Sequence, residues 1–189
     1  MKLIIYFVLF LSIVSCNNIK SESKEKMLLV QYNYNFDNYF RNVKNNSKKQ
    51  RVKERNVLIL DIDSIGFCKF NNKNIKLSEL KPKIKELLQN QTCKQKFPEL
   101  KKIDFNYLGS IKIPAKFFIA ARYHNNLSFK KYNLIRNEIF KAYNETRNEL
   151  ISKKFNLTLN QLINSNKESH RLILSEVYKA YRILYYEFS

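Results

Sequence analysis

The chain has 189 residues, room for one domain with a leader and a tether. Its 35 lysines and arginines against 16 aspartates and glutamates give a formal charge of +19, which would draw it to anionic lipid, cell-wall polymer or nucleic acid. No nucleic-acid motif accompanies the charge, however, and the recurrence of Lys, Asn and Ile beside only two glycines points to AT-rich coding rather than a selected basic surface. Nor is there a glycine-rich phosphate loop, a nucleophile elbow or a paired-carboxylate motif, which argues against an enzyme and names no cofactor.

Met1-Lys2 precedes an apolar run over 3–14 that closes in Ile13-Val14-Ser15-Cys16. The run is shorter than the ~20 residues that a membrane-spanning helix needs, but it fits the apolar region of a secretory signal peptide. Its last four residues resemble a bacterial lipobox, in which cleavage precedes a cysteine that is then lipid-modified. The reading is a signal peptide over 1–15, a lipid on Cys16, and a domain held to a membrane of the cell envelope on its periplasmic side; the alternative is an ordinary or uncleaved leader. Residues 17–26, small, polar or charged, read as a flexible tether.

Val30, Tyr32, Tyr34 and Phe36 alternate, and Phe36, Tyr39, Phe40 and Val43 follow at helical spacing, which predicts a strand turning into a short helix. That stretch is either a satellite patch on the domain or an aromatic contact surface for a partner. Over 41–55 the basic residues stand against Glu54 alone, a solvated linker that could rest on anionic headgroups. Residues 16–55 are therefore tether and linker, and 56–189 the domain.

From 57 to 63, Leu58, Leu60 and Ile62 alternate with Val57 and Ile59, a strand with its first set toward a core. Asp63-Ser64-Ile65-Gly66 then supplies a tight turn in which Gly66 takes positive φ, and 67–71 returns as the hairpin partner. Asp61 and Asp63 share a strand face, but without a histidine or further carboxylates they read as turn and surface chemistry. Leu80, Ile84, Leu87 and Leu88 predict a helix over 78–89, starting at Ser78 or later at Pro82, because proline is best tolerated in a first turn. The lysine-rich stretch 90–109 holds either a short helix at 98–103 or a strand at 105–108.

Within 116–121 the apolar residues are continuous from Phe117 to Ala121, between Pro114 and a polar break at 122–126, as in a central strand buried on both faces. Tyr132, Ile135, Ile139, Ala142, Tyr143, Thr146 and Leu150 then recur at three- and four-residue steps. Asn133, Arg136, Asn137, Lys141, Asn144 and Asn148 lie opposite, so an amphipathic helix, capped by Ser128 and ending near Lys153 and Lys154, lies on the sheet. A short helix over 157–163, another over 172–181 and a last strand over 183–188 complete the chain. Together the elements predict an α/β (α+β) domain, a small mixed sheet with two or more helices packed on one face.

Pro114, Lys116, the strand that follows, Leu127-Ser128-Phe129, Arg136-Asn137-Glu138-Ile139 and Ala142-Tyr143-Asn144-Glu145-Thr146-Arg147 resemble, without a gap, the late strand-turn-helix of the ExbD/TolR biopolymer-transport family in its Bacteroidetes-type form. A second block, 56–88, resembles the family's opening hairpin and first helix, and 173–187 more weakly its closing segment. The resemblance implies the family's periplasmic fold, a homodimer, and association with ExbB/TonB-type motor subunits that power uptake or maintain the envelope. Members of the family carry a transmembrane helix with an acidic, proton-carrying residue; nothing over 1–15 is acidic, so that role transfers to no residue here.

The expected role is therefore a non-enzymatic accessory or partner-binding subunit. The alternatives are a stand-alone peptidoglycan- or peptide-binding lipoprotein, or a membrane-embedded transporter or channel component with an uncleaved N-terminal segment. Partner binding is expected on sheet-edge backbone, either at the first hairpin with Val57 and Ile59 or at the closing strand with Ile183 and Tyr185. Cys68 and Cys93 either pair, which would stabilise by about 3–4 kcal/mol on the loop-entropy estimate, or are two small buried residues. His124 and His170 lack partners at ligand spacing, so no metal site is expected.

Overall fold

The computed structural model describes residues 27–32, 48–90, 96–114 and 116–188. In chain order these form β1 (Met27–Tyr32), β2 (Lys48–Lys53), a 3-10 turn (Glu54–Asn56), β3 (Val57–Ile62), β4 (Cys68–Phe70), β5 (Lys73–Ile75), α1 (Leu77–Gln89), β6 (Leu100–Phe105), β7 (Gly109–Pro114), β8 (Phe118–Tyr123), α2 (Phe129–Phe155), α3 (Leu159–Ile163), α4 (Glu168–Ala180) and β9 (Leu184–Phe188). The leader, Cys16, the tether, Cys93 and the aromatic stretch beyond Tyr32 lie outside the described residues.

The centre is a five-stranded mixed sheet in the order β5-β4-β3-β8-β9. Parallel pairing joins β3 to β8 and β8 to β9, while β3-β4-β5 is an antiparallel meander. Both parallel crossovers step in the same direction along the sheet, so connections of one hand leave their helices on one face. There α1 and α2 cover Leu58, Leu60, Ile62, Ile119 and Ala121 with Leu80, Ile84, Ile135, Ile139 and Tyr143. A large side chain buried here contributes about 1.5–3 kcal/mol. The architecture is thus the mixed sheet with helices on one face that the residue pattern predicts. At 27 residues and ~1.5 Å per residue, α2 outruns the sheet. Its C-terminal part, at Ile151, joins a second core with α3, α4 and the β6–β7 hairpin through Leu108, Ile113, Leu162 and Val177.

Several boundaries differ from expectation for physical reasons. The basic run expected as linker contains β2: its one apolar residue there, Val52, is buried against Val57, Phe118 and Ala120 on the sheet's other face, while Arg51 stays exposed. One inward residue suffices to dock a strand whose backbone pairs with β1. Neither the helix expected at 98–103 nor the strand at 105–108 forms. Ile103, Phe105, Ile111 and Ile113 instead alternate along the β6–β7 hairpin and face the second core, with 106–108 as the turn. The central strand starts at Phe118 rather than 116 and runs through the expected polar break to Tyr123, because pairing with β3 and β9 continues across Arg122. Helix α1 begins at Leu77, not at Ser78 or Pro82. Pro82 is its sixth residue, on the exposed side, where the Ser78 carbonyl it cannot bond is open to water; Glu79 accepts from the Lys76 N–H at 2.8 Å and caps that end.

With only two glycines in the chain, both at positive φ, asparagine takes the remaining left-handed positions among the described residues. Asn71, Asn72, Asn90 and Asn156 are the non-glycine residues with positive φ among the described residues, as a short side chain that bonds locally allows. Asn71-Asn72 makes the β4–β5 turn; Asn90 and Asn156 end α1 and α2.

The two large helices are joined by charge as well as by packing. Lys81 and Lys85 reach Glu145 at 2.7 and 3.0 Å, and Lys85 reaches Glu149 at 2.6 Å. The hydrogen bond from Lys81, then that from Lys85, hold Glu145 below the ordinary carboxylate value of 4.5 against the opposing effect of burial. Bonds to Glu149 and Glu145 hold Lys85 above 10.5. A lowered carboxylate adds stability that is complete above its unfolded value and is lost as pH falls through the folded one. Melting temperature should therefore fall below about pH 4.5 with a component that Glu145→Gln removes; an unchanged acid limb in that variant would show the network to be energetically idle.

Candidate binding cleft

Sheets with parallel strands place ligands beyond the carboxyl ends of those strands, and here the ends of β3 and β8 open into a cleft of about 930 Å³. Alternation sends Leu60 and Ile62 to the helices and Asp61 to the opposite face. Register then sets Asn74, Lys69, Asp61 and Arg122 in one row across β5, β4, β3 and β8. Asp61 and Arg122 form an ion pair at 3.5 Å, with side-chain exposures of 27% and 58%. Lys76 and Glu79 from the start of α1, and His124 and Asn125 after β8, complete the wall, with Phe67 standing 65% exposed at the rim.

Asp63 lies at the mouth, and its carboxylate serves the turn: Oδ1 accepts from the N–H of Ile65 at 3.0 Å and of Phe67 at 2.8 Å, while Gly66 sits at φ +87. His124 is set by two bonds. Its backbone N–H donates to the Ile62 carbonyl at 2.9 Å, and the ring Nδ1 accepts from the Asn126 backbone N–H at 3.1 Å. The neutral ring therefore carries its proton on Nε2. The arrangement offers cations, carboxylates and amides in one open cleft with an aromatic edge, which can hold an extended polar ligand carrying both charges. Among the described residues no three or more His, Cys, Asp or Glu side chains are placed to hold a metal ion.

Beside the cleft, polar side chains tie β8 and β9 to α2. The Tyr123 and Tyr185 hydroxyls meet at 2.8 Å, Tyr132 donates to both Glu187 oxygens at 3.0 and 2.9 Å, and Arg136 pairs with Glu187 at 3.4 Å. Arg136, expected on the polar side of the helix, is thus half-buried at this joint. Burial pushes the Tyr123 phenol well above its usual value.

The residues singled out in the sequence are dispersed. Val57 and Ile59 lie on an interior strand, so the first hairpin is not the expected edge. The N–H of Ile59 donates to Asn71 Oδ1 and its carbonyl accepts from the Asn71 N–H, both at 2.9 Å, which closes the side of β3 that β4 leaves. Ile183 and Tyr185 belong to the segment that ends the sheet, as expected, but both side chains are buried in the main core. Cys16 and Cys93 lie outside the described residues; Cys68 is a buried free thiol whose Sγ approaches the Gly66 carbonyl at 3.8 Å. Burial, and secondarily Asp63, push that thiol up to about 11. Native protein at pH 8 should consequently resist iodoacetamide at Cys68 until unfolding, as peptide mapping would show; prompt native labelling would mean that this corner opens readily.

Comparison with protein-family models, curated proteins and solved structures finds no match to this chain.

Proposed function

We propose that this chain is a non-enzymatic envelope protein, lipid-anchored at Cys16, whose domain serves as an accessory, partner-binding subunit of a proton-motive-force-driven biopolymer transport system of the ExbD/TolR kind. What supports the reading is the fate of the segment that carries the resemblance. Residues 118–150 form a strand, a turn and a helix in direct succession, and each residue of the Ala142-to-Arg147 motif sits at a joint of the domain. Ala142 and Tyr143 are in the main core, Glu145 bridges to α1, and Thr146 bonds back to the Ala142 carbonyl at 2.9 Å. Buried Arg147 takes the Tyr181 carbonyl at 2.7 Å and the Asn144 amide oxygen at 3.0 Å. A motif of this kind specifies a fold and not a reaction, as expected of a domain that works by docking.

Fatty-acid labelling and crosslinking in intact cells test this reading together. The wild type should incorporate label and crosslink to membrane motor subunits, while Cys16→Ala loses the label and the membrane pool but keeps the fold. Equal labelling of Cys16→Ala, or crosslinks that contain no motor subunit, would overturn it. The cleft favours one other reading, a peptidoglycan- or peptide-binding lipoprotein, since its mixed charges and exposed Phe67 suit such a polymer. Cosedimentation with purified peptidoglycan that Arg122→Ala abolishes would decide for that reading.

A further inference from the structure

We propose that the end of the domain formed by the β3–β4 turn and the start of α2 docks on an anionic lipid surface, placing Ile65, Phe67 and Phe129 among the headgroups. These are the three most exposed large apolar side chains among the described residues, at 59%, 65% and 75%. All three stand at the same end of the sheet, where the parallel strands β3 and β8 finish. Exposed apolar side chains scattered singly need no explanation, but gathered at one end they mark an interaction surface. The two turns touch: Lys131 donates through Nζ to the Ile65 carbonyl, and a methyl group at Gly66 would stand 3.0 Å from Lys131 Cδ and 3.8 Å from Leu127 Cδ1. The tip is also set before any partner arrives. Asp63 Oδ1 accepts from the amides of Ile65 and Phe67, Phe129 stacks on Tyr132 at 6.3 Å, and Tyr132 meets Tyr123 edge-on at 4.9 Å, so little ordering remains to be done on binding.

Charge names the occupant. Lys69 and Lys76 share the cleft wall with Phe67, Lys130 and Lys131 follow Phe129 directly, and all four are exposed. The nearby carboxylates are engaged inside the domain: Asp63 by the turn amides, Asp61 by Arg122, and Glu79 by the Lys76 N–H. The first turn of α2 carries no acid. Its two lysines instead stand at the positive end of the helix dipole, where acids are the stabilising choice, an arrangement that costs the helix and favours an anion outside it. Ser64, Asn125, Asn126 and Ser128 separate the apolar side chains, so the tip lacks the continuous apolar centre of a protein interface. A lipid surface asks for no such centre, since each apolar side chain enters by itself while the lysines meet the phosphates. Anchoring at Cys16 would bring the domain near a membrane without saying which end meets it; the tip supplies that end.

The chain has no tryptophan, so Phe67→Trp and Phe129→Trp each put one fluorescent reporter at the tip, and Leu172→Trp puts one on an exposed position of α4. With the full chain and vesicles of phosphatidylglycerol and phosphatidylcholine, both tip reporters should shift to the blue and be quenched by brominated lipid, while Leu172→Trp keeps the spectrum it has in buffer. Vesicles of phosphatidylcholine alone should shift neither tip reporter. Adding Lys69→Gln and Lys130→Gln to the Phe129→Trp chain should raise the lipid needed for half the shift about tenfold, because each cation near an anionic surface is worth several-fold in binding. Cys16→Ala should leave the tip shift unchanged, which keeps this docking distinct from the anchor. Silent tip reporters, an equal response from Leu172→Trp, a shift indifferent to the lipid charge or to the two lysines, or one lost in Cys16→Ala would each overturn the proposal. So would a shift produced without lipid, by purified peptidoglycan or by rising protein concentration, which would make the occupant a polymer or a second copy of the chain.

Discussion

Ile139→Ala is expected to lower the free energy of unfolding by about 2–5 kcal/mol, the range for truncating a buried isoleucine when transfer and cavity terms add. Ile139 is 0% exposed and packs in the main core with Ile119 and Ala121 of β8 and with α1, a site enclosed by sheet and helix that has little room to collapse. Asn137→Ala, on the exposed side of the same helix, should change stability by no more than about 0.5 kcal/mol. Asn144→Ala belongs with neither. Helical phase alone sets it among the polar residues and predicts no effect, but its amide oxygen accepts from Arg147 at 3.0 Å, and Arg147 is 2% exposed. Removing that acceptor from a buried guanidinium should cost about 1–3 kcal/mol. Urea midpoints at constant slope rank the three; equal shifts for Ile139→Ala and Asn137→Ala would mean that the helix phase is wrong.

The elements readable in the sequence are those whose burial is written in side-chain period. The 3–4 spacing from Tyr132 onward and the alternation Leu58-Leu60-Ile62 each put a full apolar set on one face, and both elements stand where the spacing put them. The missed elements bury little per residue. β2 holds itself through Val52, and β6 and β7 carry exposed lysines between their inward residues, which reads as a solvated loop until the second core supplies a surface. Turn signals were masked in another way. Glycine marks two of the left-handed positions and asparagine the other four among the described residues, and Asn71-Asn72 between Phe70 and Lys73 is a hairpin signal once asparagine is read in that role.

The candidate cleft was legible only in part. Asp61 and Asp63 were singled out, and the structure does place them together at the end of β3; but Lys69, Asn74 and Arg122 join them through sheet register, which no local pattern encodes. The expected edge at Val57 and Ile59 failed for the same reason. A strand's own alternation says which side chains face the core, while its place in the sheet depends on a crossover of more than fifty residues that returns β8 to its free side. One buried polar residue did have a local signal. Glu176 interrupts the apolar stripe Ile173, Val177, Ala180 on its inward side, and a carboxylate in such a stripe implies a cluster of donors opposite.

Glu176→Ala should accordingly be the most damaging polar substitution, at about 3 kcal/mol. The carboxylate accepts from three successive amides, Asn106 at 3.0 Å, Tyr107 at 3.0 Å and Leu108 at 2.9 Å, and so fixes the turn of the β6–β7 hairpin on α4. Charge-assisted bonds of this kind are worth about 1.5–3 kcal/mol each, less where water can replace the acceptor. Asn106 and Tyr107 are exposed and can turn to water, whereas Leu108 is 1% exposed in the second core and its amide would be stranded. One full loss plus two partial ones gives the estimate. Glu176→Gln separates charge from shape: it keeps one acceptor oxygen but turns an NH2 toward the same amides, so it should cost nearly as much as alanine, and a neutral effect would mean that the carboxylate is not needed. The damage should be local first. Amide exchange at 106–108 should accelerate in Glu176→Ala well beyond that at Leu58 or Ile119, because the hairpin can lift from α4 while the five-stranded sheet stays closed; uniform acceleration across both cores would instead make this clamp part of a single cooperative unit.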